Sequence, residues 1–502
     1  MRAIDSFVGK IRREVFTEVA RLAYEGGDYS RIEELPYRII PGVVAKYRES
    51  IFLERAIVGE RLRLAIGLPL RPIDEHKPLS VNINESAIAE KYYDPPLVNI
   101  IKFACNACPN QFVVSNCCQS CLAHPCTDVC PKKAVSIHAG GRSVIDQELC
   151  IGCGRCKNAC PYGAILKLER PCAAACGVDA IESDENGLAS IDYDKCVSCG
   201  MCIVNCPFGA ISDKGQIFQL IHAMTKGKEV VAIVAPSFVG QFGPGVTPEK
   251  LTAAMKQLGF SRVVEVAVGA DLCAIEEAKD FMRAVPGEQP FMATSCCPAW
   301  SMLAKTQFPK LAPYISMSLT PMVLTARLLK KDNPNCKIVF VGPCAAKKLE
   351  ASRRSIRSNV DFVLTYEELM GIFQAKEVDL TKIEGNDPLN EATAAGRGFA
   401  VSGGVAGAVA DVIHRLDPDR EVKIATAEGL RECKKLLTMA NAGKYDGCLL
   451  EGMACPGGCV AGTGTLQDTK KSINAVTKYK NEAEIKNAAD SRYKITLSLL
   501  GE

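Results

Sequence analysis

The chain has little of what would mark a membrane protein, a secreted scaffold or a nucleic-acid binder. No apolar run in its 502 residues reaches the roughly 18 positions that a membrane-spanning helix needs. Charge is nearly balanced, with 60 Lys plus Arg against 57 Asp plus Glu and a formal net of +3. No basic field is available to hold nucleic acid. The opening Met1-Arg2-Ala3-Ile4-Asp5 meets charge at once and lacks the apolar stretch of a secretory signal. Aromatic residues are scarce at 6%, with a single Trp, and His occurs only five times. Cysteine is absent before Cys105. Beyond that point it is abundant, but a disulfide scaffold would be short and exported. The expectation is a reducing, cytoplasmic compartment in which clustered Cys bind metal.

There are 26 Cys, and 17 of them fall between Cys105 and Cys206. This divides the chain into three parts. Residues 1–98 read as a helical segment, with Ile4, Phe7, Val8 and Ile11 at helical spacing and Val15, Val19 and Leu22 continuing the stripe. Nothing chemical stands out there, and a structural cap or docking arm is expected. Residues 99–215 hold the Cys-rich block, whose short segments cannot build a large apolar core, so metal must supply folding energy. Residues 225–502 alternate apolar strand candidates with helical stretches. The strands are Val230–Ala235, Val263–Val268, Pro290–Ala293, Ile338–Val341, Phe362–Leu364, Ile424–Ala427 and Cys448–Leu450; helices are expected over Ile275–Arg283 and Leu430–Ala440. This pattern predicts an α/β domain with mostly parallel sheets, beside a small α+β iron–sulfur domain and the helical N-terminal segment. Three of the strands run into Cys, at Cys296-Cys297, Cys344 and Cys455. Sites in open α/β sheets gather beyond the carboxyl ends of strands, so thiols are expected at one end of one sheet.

Cys150, Cys153, Cys156 and Cys160-Pro161 follow C-x2-C-x2-C-x3-C-P, and Cys196, Cys199, Cys202 and Cys206-Pro207 repeat it. This is the bacterial ferredoxin run, whose fourth Cys ligates the neighbouring [4Fe-4S] cluster. Cys118, Cys121, Cys126 and Cys130-Pro131 form a variant with one wider gap, and Cys172 and Cys176 keep only the last two positions. Exchanging fourth ligands gives three sets: Cys118, Cys121, Cys126 and Cys160; Cys150, Cys153, Cys156 and Cys130; Cys196, Cys199, Cys202 and Cys176. A fourth set would take Cys105, Cys108, Cys172 and Cys206, with Cys117 left over as a rival ligand for Cys105 and Cys108. The expectation is therefore three to four accessory clusters, a wire that serves a reaction elsewhere in the chain.

Cys297, Cys344, Cys455 and Cys459 are four further thiols that suit a cubane. The stretches around them, Thr294–Trp300 (TSCCPAW), Gly342–Lys348 (GPCAAKK) and Glu451–Cys459 (EGMACPGGC), resemble in order and spacing the three signature motifs of [FeFe] hydrogenases. The resemblance covers roughly 225–470. It implies an active centre in which a [4Fe-4S] cubane is bridged by one cysteine to a diiron unit carrying CO, cyanide and an azadithiolate. By motif, Cys297, Cys344, Cys455 and Cys459 hold the cubane and Cys459 bridges. Lys347 meets one cyanide and Ser237 the other, through backbone and hydroxyl. Met453, Phe399 and Pro236 wall the pocket. Cys296 matches the proton-relay thiol, Glu277 the first relay carboxylate, Ser316 the relay hydroxyl and Asp280 the outer carboxylate. Cys273, Cys336, Cys433 and Cys448 fit no motif and read as structural.

The reaction implied is reversible reduction of two protons to H2. Its partners would be ferredoxin or a similar low-potential carrier, H2 and protons, and the maturation proteins that build the diiron unit. The alternative is an H2 or redox sensor of the same fold with little turnover; such relatives often lose the relay thiol, whereas Cys296 is present. The chain departs from the usual pattern at Ala299 (usually Gly), Asp280 (usually Glu) and Gly342, where Met is usual. The last change is expected to enlarge the pocket or alter its polarity.

Overall fold

The structure is a computed structural model that describes residues 6–494 except 109 and 354. Ser6 starts the first long helix, Phe7–Glu25, its hydroxyl accepting from Gly9 N at 3.2 Å. The buried face of this helix, including Val15, Phe16 and Val19, joins the same apolar core as the sheet strand Val230–Val234. It packs closely on the helix Tyr366–Ala375, where a Cβ at Gly371 would lie 2.6 Å from Phe16 Cβ. The N-terminal segment therefore completes the core of the α/β part.

The Cys-rich block is built from two-stranded antiparallel units. Gln111–Val114 pairs with Ile165–Leu168, Val135–Ile137 with Ser143–Ile145, and Ile181–Ser183 with Ala189–Ile191. Val98–Ile100 pairs with Ile211–Asp213 and so closes the block at its two ends. Its outer portion has only a small apolar core of its own, around Phe112, Val135, Ile145 and Ile165.

The α/β part contains two parallel sheets. One has the order Arg262–Glu265, Val230–Val234, Lys337–Val341, Phe362–Leu364; the other Met292–Ala293, Cys448–Met453, Lys423–Glu428. The expected single sheet is corrected on this point: the thiol-bearing strands belong to two sheets whose carboxyl ends face a common cavity. The strand expected over Val263–Val268 also ends early. Val266 is already helical, and Ala267–Ala284 is a buried helix. An apolar run with β-branched residues reads alike in either state when both are buried. Among the described residues no helix is long and apolar enough to cross a membrane.

Lys348, next to the cavity lysine Lys347 in sequence, is 1% exposed. Its ammonium binds Asp213 at 2.7 Å, Glu368 at 2.9 Å and the Lys214 carbonyl at 3.0 Å. Arg12 approaches Glu367 at 3.2 Å and Asp213 at 3.8 Å. All three parts of the chain meet in this buried network. Removing the central cation leaves Glu368 uncompensated and Asp213 with only the more distant Arg12, so Lys348→Ala is expected to cost about 3–5 kcal/mol. The readout is denaturation followed by the single, fully buried Trp300.

Candidate active site

Cys297, Cys344, Cys455 and Cys459 line one internal cavity with Cys296, Lys347, Pro236, Ser237, Phe399 and Met453. The first and third motifs are locked together beside it. Trp300 donates to the Thr294 carbonyl at 2.9 Å and lies flat on Gly452, where a Cβ would sit 2.2 Å from the indole. Glu451, also 0% exposed, accepts from Gly403 N and Ala406 N at 2.7 Å each and caps the helix Gly404–Leu416. No sequence signal marked that capping role, because it joins positions far apart in the chain.

Burial pushes the Cys344 thiol up to about 11 and the Cys459 thiol up to about 12, and neighbouring thiols add to both shifts. Cys455 is raised as well, by burial and then by Cys344, Cys297 and Cys459. Four thiols in one cavity are a donor set for iron, which binds them as thiolates. Among the described residues no three His, Cys, Asp or Glu close on a position for a single ion. The thiols stand around a space, as a cluster requires, and the residues fit the cubane expected there.

Lys347 is buried and paired with Glu350 at 2.6 Å; it also donates to the Cys296 carbonyl at 3.3 Å. Two of its three N–H bonds are thus engaged, which leaves one for an anionic ligand in the cavity. Ser237 is placed differently from expectation. Tyr366 OH donates to the Ala235 carbonyl at 3.1 Å and lies 2.7 Å from Ser237 Oγ. A tyrosine has one hydroxyl hydrogen, so in this arrangement Ser237 donates its own to Tyr366. The serine hydroxyl is engaged, and only its backbone N–H is left to meet a ligand. Tyr366 was missed because it lies 129 residues from Ser237.

Gly342 does not enlarge the pocket. A Cβ there would lie 2.5 Å from the Phe340 ring, and Phe340 itself lines the cavity. The aromatic ring fills the space that a side chain at 342 would need. Gly342→Met is expected to destabilise by about 1–3 kcal/mol through overpacking. Phe340→Ala added to it should recover part of that loss, and thermal denaturation of the single and double variants reads the coupling.

Glu277 is 0% exposed, with Oε1 accepting from Ser295 N at 3.2 Å and Oε2 lacking a partner among the described residues. Burial pushes its carboxyl up to about 7, against hydrogen bonds from Ser316 and Ser295. Cys296 lies within its electrostatic reach, and burial, then Glu277, raises that thiol. The structure thus brings together Cys296, Glu277 and Ser316. Asp280 is placed apart from them on the outer face, bonded to Arg283 at 2.9 Å. Glu276 lies between, its Oε2 buried without a hydrogen-bond partner and its carboxyl raised by burial and then by Asp280. Cys273 and Cys433 are also close: Cys273 lies near Glu277 and Cys433 near Cys297.

The accessory thiols group as follows. Cys202 lies near Cys199, Cys196 and Cys176, and then Cys172, and Cys156 faces Cys150 and Cys130. Cys118 and Cys126 meet at Ser143. Crossing Cys residues share a local pattern: the thiols of Cys130, Cys176 and Cys206 accept from the N–H four residues on, at 3.2, 3.2 and 3.4 Å. Cys176 keeps this geometry although Gly177 replaces the usual proline. Cys199 lines the catalytic cavity.

Residues 228–463 match the family "Iron only hydrogenase large subunit, C-terminal domain", and 143–166 and 189–212 each match a 4Fe-4S binding domain. Over this part the chain is similar to [FeFe] hydrogenases. It is 28% identical to iron hydrogenase 1 of Clostridium pasteurianum over 326 residues, which is 55% of this chain and 57% of that one. It is also 28% identical to cytosolic iron-sulfur assembly component 3 of Bos taurus over 279 residues, 45% of this chain and 59% of that one. The hydrogenase-like chain thus spans somewhat over half the length of these curated relatives. An apo [FeFe]-hydrogenase from Chlamydomonas reinhardtii superposes with a TM-score of 0.46 at 23% identity, over 55% of this chain and 90% of that chain.

Proposed function

We propose that this hydrogenase-like chain catalyses the reversible reduction of two protons to H2. When bound, the diiron unit and its cubane supply the two-electron chemistry and the one-electron exchange. Cys297, Cys344, Cys455 and Cys459 would hold the cubane, and Lys347 with the Ser237 backbone would orient the anionic ligands. Cys199, in the wall of the same cavity, supports electron entry through the cluster of Cys196, Cys199, Cys202 and Cys176. Those electrons would come from ferredoxin or a similar low-potential carrier. Maturation proteins would deliver the diiron unit.

The observation that carries this reading is the buried acid beside the cavity. An iron–sulfur assembly role, which one relative's name raises, needs thiols but no proton path. Here Cys296 has a thiol that can give one proton and accept another, and Glu277 sits beside it, held near neutral pKa by burial. The sign of the pH effect follows. Below about 7 Glu277 is protonated and can donate toward H2 production; above it the carboxylate can accept protons from H2 oxidation. Production is expected to fall and oxidation to rise as pH passes through about 7. Glu277→Gln should lower both by roughly 10²–10⁴-fold, the usual worth of a positioned acid or base. The Cys and Lys347 environment should be undisturbed.

The test is anaerobic protein loaded with a synthetic diiron azadithiolate complex, examined by infrared spectroscopy and by H2 exchange with reduced viologen. CO and cyanide bands with turnover support the reading. Bands with negligible turnover would favour a sensor. Absence of bands in protein with intact iron–sulfur clusters would overturn it in favour of assembly or electron carriage.

A further inference from the structure

Cys105, Cys108, Cys172 and Cys206 line a second cavity, separate from the catalytic one. They come from three separate segments, and only Cys206 lies within a segment matched to a 4Fe-4S binding domain. The same cavity is lined by Arg170, which is 7% exposed. Arg170 Nη1 donates to the Glu182 carbonyl at 2.9 Å and Nη2 to the Gly187 carbonyl at 2.6 Å. Its Nε–H is buried and has no partner among the described residues. Leaving a buried N–H of a charged group unpaired is costly, and an anionic ligand in the cavity would satisfy it.

The N-terminal segment holds this site from the other side. Arg48 donates to the Ala104 carbonyl at 3.0 Å and the Phe208 carbonyl at 2.9 Å, tying the loop of Cys105 to the loop of Cys206. Arg61, 6% exposed, donates to the Gly209 carbonyl at 2.5 Å and lies within electrostatic reach of Cys206. The backbone N–H of Ala210 already points at Cys206 Sγ.

We propose that Cys105, Cys108, Cys172 and Cys206 hold a fourth accessory [4Fe-4S] cluster, and that Arg170 stabilises its reduced form. Four thiolates bind one cubane, and the Arg170 Nε–H donates to a sulfur of that cluster. On reduction the cluster takes one electron from a low-potential one-electron carrier, without making or breaking a bond, and gains one negative charge. Cationic groups and N–H···S bonds raise a cluster's potential. The set containing Cys199 lies instead among the thiols of the catalytic cavity. The fourth cluster is therefore expected to be more easily reduced than the set containing Cys199. This assignment does not depend on the chain making H2.

The full chain, reconstituted anaerobically with iron and sulfide and without the diiron unit, tests the proposal. Cys108→Ser and Cys172→Ser are each expected to lose about four irons per chain, while Cys117→Ser loses none. Full iron retention in either of the first two, or loss in the third, overturns the ligand set. Arg170→Gln provides a variant that keeps every thiol. Its iron content should match the parent, and the midpoint that Cys172→Ser removes should move to lower potential in an EPR-monitored titration. If every midpoint stays in place, the role given to Arg170 is wrong.

Discussion

A single buried ammonium joins the parts of this molecule that must stay in register. Lys348 takes one carboxylate from Asp213, at the closing strand of the Cys-rich block, and another from Glu368, in the helix that packs on the N-terminal segment. Its own short helix, Ala346–Ser352, begins just after Cys344 and also carries Lys347. The cation therefore fixes a cavity-lining thiol and the cavity lysine against both neighbouring parts. Such a network is a poor source of net stability compared with apolar packing, but breaking it is expensive. Its value here is positional. If that contact slipped, Cys199 would move away from Cys297 and Cys455, with which it is in electrostatic contact.

Legibility from the sequence followed the range of the interaction. Thiol spacing is local chemistry, and it is matched by neighbours: Cys202 lies near Cys199, Cys196, Cys176 and Cys172, and Cys156 near Cys150 and Cys130. Six of the seven strands fall where apolar runs place them; the exception, Val263–Val268, is a run buried in two successive states. What escaped was carried by contacts between distant positions. Lys348 drew no expectation because nothing local reveals Asp213 and Glu368. Gly342 reads as empty space because the occupant, Phe340, projects back from two residues earlier. Tyr366 takes the Ser237 hydroxyl hydrogen from a separate helix. The single-sheet expectation failed for a related reason: parallel strands have no hairpin to report which sheet they join.

The two thiol-lined cavities differ in the cations beside them. Around the catalytic cavity, burial and mutual repulsion raise Cys199, Cys344, Cys455 and Cys459, and Lys347 is already paired with Glu350. Burial and Cys206 also push the Cys172 thiol up to about 11, but there Arg170 opposes the shift and Arg61 lies within electrostatic reach of Cys206. Negative charge is costly at both places, and the second has two guanidinium groups to offset it. Burial pushes the Glu277 carboxyl up to about 7 because it makes the charge costly, and the same burial leaves any charge there poorly screened. Cys296 lies within reach of that carboxyl and lines the cavity. A change of charge in the cavity and a change of protonation at Glu277 therefore act on each other with little water between them.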